Sequence, residues 1–321
     1  MIVRFGYVAH ALSLWEASPS RTLTFTNWKK LNKQERADKL YSIAKTNLVN
    51  TKRALHYNIS QGIPLYRFSS ALIPLATHPE VVFDYLTMLR EDFQEIGELV
   101  QKHNLRVSFH PNQFTLFTSE DNNITNNSVE DMLYHYEMLQ AMGVEENALI
   151  NIHVGGAYGD KEQAIGRFHK NIKKLPPEVK AVMTLENDDR TYNAEEVLNI
   201  CEEAAIPMIF DYHHEQANPS SISYEKLLPR IFDTWANRGL LPKVHLSSPE
   251  SEKNYRKHSE LVATDFITPF MKVARQISKD FDVMIEAKGK DKAALQLMDW
   301  FEKQRGVKRI NGAVIQFPTK R

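Results

Sequence analysis

One cysteine, Cys201, stands in a chain of 321 residues. A single thiol excludes an intramolecular disulfide and every thiolate-cluster metal site, so any metal here must be held by nitrogen and oxygen. Net charge is absent too, since 40 Lys and Arg face 40 Asp and Glu. That balance excludes a chain that is basic throughout, the simplest nucleic-acid signature, but it leaves room for a local basic groove or for bound cations. No stretch approaches the roughly 18 uninterrupted apolar residues of a membrane span. The opening run MIVRFGYVAHALSLW is too short and broken for a secretory signal, and a cytoplasmic protein is expected. Internal repeats, linkers, low-complexity tracts and a Gly-rich dinucleotide fingerprint after the first apolar run are all missing. Residues 1–321 are therefore read as a single domain, ending in a short unassigned tail, RGVKRINGAVIQFPTKR.

What is present is a regular alternation. Eight short apolar or β-branched runs recur: IVRFGYVAH, IPLYRFSS, LRVSFH, ALINIHVGG, AVMTLEN, PMIFDYHH, PKVHLSS and FDVMIEAKG. Segments of helical period separate them. In residues 78–104, Val82, Tyr85, Leu86, Leu89, Phe93, Ile96 and Leu99 form one apolar stripe, which predicts a helix over that span. Ser128 ahead of Asp131 and Asn193 ahead of Glu196 read as helix starts, Gly143 and Gly239 as stops. The stretch from Ala11 to about Trp28 reads as the longest irregular segment, a cap over one end. Eight β-then-α units with continuously apolar strands predict an α/β fold, a closed (β/α)8 TIM barrel, over the competing open sheet.

Chemistry in such a barrel collects where the strands end. The residues there are His110, His153, Glu186, Asp211 with His213 and His214, His245, and Glu286. A carboxylate buried alone in TLEN or MIEAK would cost several kcal/mol, so Glu186 and Glu286 each need a partner. His78 and His258, in segments following the second and seventh strands, can reach the same place. His10 is ambiguous; His56, His103, His135 and His169 fall on helical patterns. Imidazole mixed with carboxylate and no thiolate suits Mn2+, Zn2+ or Fe2+ better than Ca2+ or Mg2+. At roughly three to four protein ligands per ion, this set implies two or three ions, an arrangement suited to in-line phosphoryl displacement.

The segments RFGYVAHALSLWEASPSRTLTFTNW, GIPLYRFSSALIPLATHPE, SFHPNQFTLFTS, INIHVGGAYGDKE, TLENDD, IFDYHH, KVHLSSP and MIEAKGKDKA resemble the UV damage endonuclease family, in its bacillus-type branch, across nearly the whole chain. The resemblance implies a barrel related to those of the endonuclease IV type. It implies a repair enzyme that cuts DNA immediately 5′ of cyclobutane dimers and 6-4 products, leaving 3′-hydroxyl and 5′-phosphate by attack of a metal-activated hydroxide. It implies two or three Mn2+, with Zn2+ or Mg2+ as alternatives, and a monomer acting on bent double-stranded DNA with the lesion flipped out. Carried over by position, His78, His110, His153, Glu186, Asp211, His214, His245, His258 and Glu286 are the ligands. Glu186, Glu286, His245 and Lys243 carry the catalysis. His213 is left out.

Strand alternation turns Lys243 towards the side of His245, and an ammonium among divalent ions is unfavourable, so Lys243 is expected to be neutral or carboxylated. In the family a Gln–Tyr pair probes the gap left by the lesion; here it reads Gln113 and Phe114, which keeps the stacking plane and loses the phenol. Tyr7 matches the lesion-side aromatic. Arg67 and Asn112, with Lys288 and Lys290, are candidate phosphate contacts. The rivals are an abasic-site endonuclease or a metal-dependent sugar isomerase on the same barrel, and a non-catalytic damage-binding protein.

Overall fold

The computed structural model describes residues 1–318. Its eight parallel strands are β1 (Ile2–Val8), β2 (Leu65–Arg67), β3 (Arg106–Phe109), β4 (Leu149–His153), β5 (Met183–Glu186), β6 (Met208–Asp211), β7 (Lys243–Leu246) and β8 (Phe281–Ile285). Each pairs with its sequence neighbour, and β1 pairs with both β8 and β2, which closes the ring. Gly6 lets β1 and β2 meet, because a Cβ there would collide with the Leu65 carbonyl. All eight strands fall where the apolar runs place them, and the expected (β/α)8 barrel is the fold. A strand covered by helices on one side and by a packed interior on the other has no solvent face, which is why these runs are nearly continuous.

The strand period of two divides each strand between layers. Phe5 packs on Phe301 of the helix Lys290–Glu302 at a centroid distance of 5.6 Å, so the odd positions of β1 face the helices. The inner face is unusually polar. Arg4 and Arg106 both pair with the fully buried Asp282, and the Arg106 guanidinium lies 5.3 Å from the Trp235 ring, among the residues that close the barrel's lower end. Above them Lys243 donates to Ser108 Oγ at 3.1 Å. Strands β3 and β7 are not neighbours, so this bond crosses the barrel, and Lys243 faces its interior, not a helix.

Several local expectations need correction. Residues 78–84 are not helical; helices run over Tyr85–Met88 and Arg90–Lys102, after Asp84 accepts the Thr87 amide at 3.3 Å. Val82 is consequently 97% exposed, outside the stripe that the other residues form. Ser128 lies inside the helix Asn122–Met142, which Asp121 caps instead, and its hydroxyl holds the Leu116 amide at 2.8 Å. Asn193 does cap its helix, in a reciprocal box with Glu196. Gly143 ends a helix at φ 66°, whereas the helix Tyr224–Asp233 stops well ahead of Gly239. The irregular stretches 68–84 and 247–263 are at least as long as the one following β1.

The tail is part of the sheet as far as it is described; Thr319, Lys320 and Arg321 lie outside the described residues. Strands β9 (Lys308–Asn311) and β10 (Val314–Gln316) form a hairpin, and β10 runs antiparallel to Ile2–Arg4 of β1. It occupies the edge of β1 below the point where β2 begins to pair. Ile315 is fully buried there. Ile315→Ala should therefore lower unfolding free energy by about 2–5 kcal/mol, as for other buried aliphatic truncations, measured by denaturant melts. Unchanged stability would show that the hairpin is an appendage.

Candidate metal centre

The top inner layer is built from strand ends. Pairing register sets Glu186 beside His153 and Asp211 beside His245. Glu286 follows β8 directly, and its amide donates to Leu246 O at 2.9 Å. One ligand atom from each of His110, His153 and Glu186 falls within 4.8 Å of the others, and so do those of Glu186, Asp211, His245 and Glu286. Glu186 belongs to both groups. Its Oε1 meets His245 Nδ1 at 2.9 Å and lies 3.5 Å from His214 Nδ1; its Oε2 meets His110 Nε2 at 3.2 Å and accepts from the Asn151 amide. His245 Nδ1 is also 3.1 Å from Glu286 Oε1.

Charge here is strongly coupled. Burial disfavours the Glu186 carboxylate, yet His245, His153 and His110 outweigh it and hold the group well below the usual range. Burial likewise opposes Glu286, where Arg67 and His245 win and the carboxyl is again lowered. His214 shows the converse: burial opposes its charge, but Asp211, Glu186 and Glu286 push it up to about 9. Burial, then Arg106, lowers Lys243 well below the usual lysine value, with Asp282 opposing.

Two observations fit the donor set to divalent ions. Among the described residues, Asp211 Oδ2, His153 Nδ1 and His258 Nδ1 are buried without a hydrogen-bond partner, a costly state for polar atoms unless something else binds them. And the ligand atoms are oriented by groups behind them. The Asp211 backbone exchanges two 2.9 Å bonds with the Asn187 side chain, Asp211 Oδ1 accepts the His214 amide at 2.8 Å, and His214 Nδ1 lies 2.8 Å from Asn187 O. Such support fixes ring and carboxylate directions before a metal arrives.

His258 stands outside both groups, but its ring is 6.3 Å from that of His214. His78 stands apart: it stacks on Phe25 at 3.8 Å, and its Nδ1 accepts the Glu80 amide at 3.2 Å. His213 is spent elsewhere, on Ser247 Oγ at 2.8 Å and Tyr255 O at 2.6 Å. Arg67 reaches Glu286 at the rim of the cluster. Asn112 is exposed, and its Oδ1 accepts the Phe114 amide at 2.8 Å, shaping a tip on which Gln113 is exposed and Phe114 is 72% exposed.

Tyr7 does not reach the mouth. Its ring is fully buried between barrel and helices, packed on Tyr66, and its hydroxyl donates to Asn58 at 2.7 Å. Register explains this, since Tyr7 pairs with Ile285 and shares the outward face of Phe5. Asn151, Thr184 and Ser108 are the supporting residues that sequence reading passes over. Each lies two positions before a strand-end ligand, the same spacing that singles out Lys243.

With His214 as a ligand, a metal would displace its proton, and divalent-ion affinity should then rise about tenfold per pH unit between pH 7 and about 9, then level off. Calorimetry in buffers of different ionisation enthalpy should register about one proton released per chain at pH 7. Affinity independent of pH over that window would contradict this charge assignment.

Comparison with known proteins places this geometry. The profile of UV-endonuclease UvdE matches residues 3–318. A UV DNA damage endonuclease of Bacillus mycoides (strain KBAB4) is 57% identical over 317 residues, covering 99% of this chain and 100% of that one. The crystal structure of SacUVDE superposes with a TM-score of 0.84 at 28% identity, covering 94% of this chain and 98% of the other. L-ribulose 3-epimerase, at 16% identity and a TM-score of 0.52 over 74% of this chain, shares the fold alone. With the profile spanning almost every residue and a relative 57% identical over 99% of this chain, the chain belongs to the UV-endonuclease UvdE family.

Proposed function

We propose that this protein is a UV damage endonuclease of DNA excision repair, cutting the phosphodiester backbone immediately 5′ of cyclobutane dimers and 6-4 products and leaving 3′-hydroxyl and 5′-phosphate ends. The observation that carries the reading is Glu186, a buried carboxylate shared by two ligand groups at a barrel mouth, in a chain of this family. His110, His153 and Glu186 would hold one divalent ion, and Glu186, Asp211, His245 and Glu286 another, with His214 and His258 within reach of a third. Mn2+ fits the mixed imidazole and carboxylate donors. Such ions supply the Lewis acidity that activates water against phosphorus and offsets charge on the departing oxygen.

The chain's own residues do the rest. Arg67, at the rim beside Glu286, orients a phosphate; Asn112 fixes the tip that presents Gln113 and Phe114 to the gap left by a flipped-out lesion in bent DNA. Lys243, buried beneath the cluster, is neutral or carboxylated, and native intact mass separates the two by the added carbon dioxide. His78 offers its Nε2, since its Nδ1 accepts the Glu80 amide. The chain acts as a monomer.

Supercoiled plasmid that is UV-irradiated, unirradiated or depurinated, incubated with the protein and Mn2+, tests the reading. Nicking confined to the irradiated plasmid, and abolished by chelator, is expected. Preference for depurinated plasmid would favour an abasic-site endonuclease, and binding without nicking a damage sensor. Glu186→Ala should abolish incision yet retain some lesion binding. Because bound ions add positive charge to a formally neutral chain, chelation should also weaken DNA binding.

A further inference from the structure

The fold leaves one tryptophan almost bare. Trp15, in the loop following β1, is 83% exposed, more than Phe114 at 72%. A single exposed apolar side chain is ordinary on a loop that wanders, but this loop is pinned. The amides of Leu12 and Ser13 donate to the buried Asp291 carboxylate at 2.6 and 3.2 Å, and Tyr57 OH reaches it at 3.0 Å. On the other side Arg53 donates to Trp15 O at 2.8 Å and Glu16 O at 3.3 Å, while Asn50 donates to Ser18 O at 2.9 Å. Glu16 is held at φ 45°, a left-handed conformation that a glutamate adopts only under constraint. The backbone is anchored to the helices Lys33–Ser60 and Lys290–Glu302, and the indole is the part left free.

Its position adds a second constraint. Loops after β1, β3 and β4 carry the exposed rings Trp15, Phe114 and Tyr158, the last 47% exposed. The ligand carboxylates Glu186, Asp211 and Glu286 all come from β5, β6 and β8. The mouth thus carries its most exposed rings on the loops after β1, β3 and β4 and its candidate carboxylate ligands at the ends of β5, β6 and β8, with His110 and His153 reaching in from β3 and β4. Rigid rings facing solvent at a site for bent DNA match unstacked base faces, to which an aromatic binds without sequence preference.

We infer that Trp15 is a second base-stacking residue, packing on an unstacked nucleobase beside the lesion, two strands round the rim from the Gln113–Phe114 tip. This rests on the endonuclease reading above. The contact is made to substrate before and during the cut alike, so it acts on binding more than on turnover.

Trp15→Ala should raise KM for a UV-irradiated oligonucleotide duplex about tenfold with kcat little changed, and Trp15→Phe should restore most of the loss. Thermal midpoints should match the wild type, as expected for an exposed side chain. Trp28 and Trp300 are half-buried and Trp235 buried. In a Glu186→Gln background that leaves the duplex uncut, adding it should therefore quench tryptophan emission, and Trp15→Phe should remove that quenching. Wild-type KM in Trp15→Ala, or equal quenching in Trp15→Phe, would overturn the inference while wild-type nicking left the endonuclease reading standing. Quenching lost with Trp15, in a protein that never nicks, would sustain the contact and sink the endonuclease reading.

Discussion

A carboxylate buried on the axis of a barrel is the constraint around which this molecule is arranged. Glu186 is 1% exposed, and an anion so placed is tolerable only with donors or cations about it. Those neighbours come from β3, β4 and β7, through His110, Asn151 and His245, and from His214 just beyond β6. Satisfying one side chain therefore demands that four segments distant in sequence end at one height. A one-residue slip in any of these strands would turn its donor to the helix layer.

The same demand runs downward through the interior. Below Glu186, Thr184 and Asn151 bond to each other at 2.9 Å, Lys243 spans the barrel to Ser108, and Asp282 holds two guanidinium groups at the foot. A purely aliphatic interior would fold as well or better, because buried ion pairs seldom add net stability. The polar column gives the ligands fixed directions. The stabilising apolar burial lies outside it, between strands and helices, in residues such as Phe5, Phe109, Phe210 and Phe270. Separating the two roles leaves the mouth free for the His and carboxylate cluster.

How much of this was legible follows from that separation. The strands are legible because both their faces are buried and the runs are continuous, and the cluster at their ends because charges closing such runs need partners. Tyr7 closes its strand but lies outside the mouth: Arg4 meets Asp282 inside, so by alternation Phe5 and Tyr7 face out. Residues 78–84 carry a helical stripe, yet Asp84 starts the helix later by capping Thr87, a competition that periodicity does not register. The hairpin carries little local signal, because KRIN is mostly exposed and the partner of β10, Ile2–Arg4, lies at the opposite end of the chain. The segment after β2 lets His78 reach the mouth, and the resemblance makes it a ligand, but its stack on Phe25 depends on a loop whose path no local pattern dictates.

Everything distinctive about the mouth follows if Glu186 lies between two ions. Anomalous diffraction from crystals soaked in Mn2+ tests this directly. Two peaks are expected, one among His110, His153 and Glu186 and one among Glu186, Asp211, His245 and Glu286, both lost in Glu186→Gln. No peak at the strand ends, or peaks that persist unchanged in that variant, would contradict the assignment of Glu186 as the shared ligand.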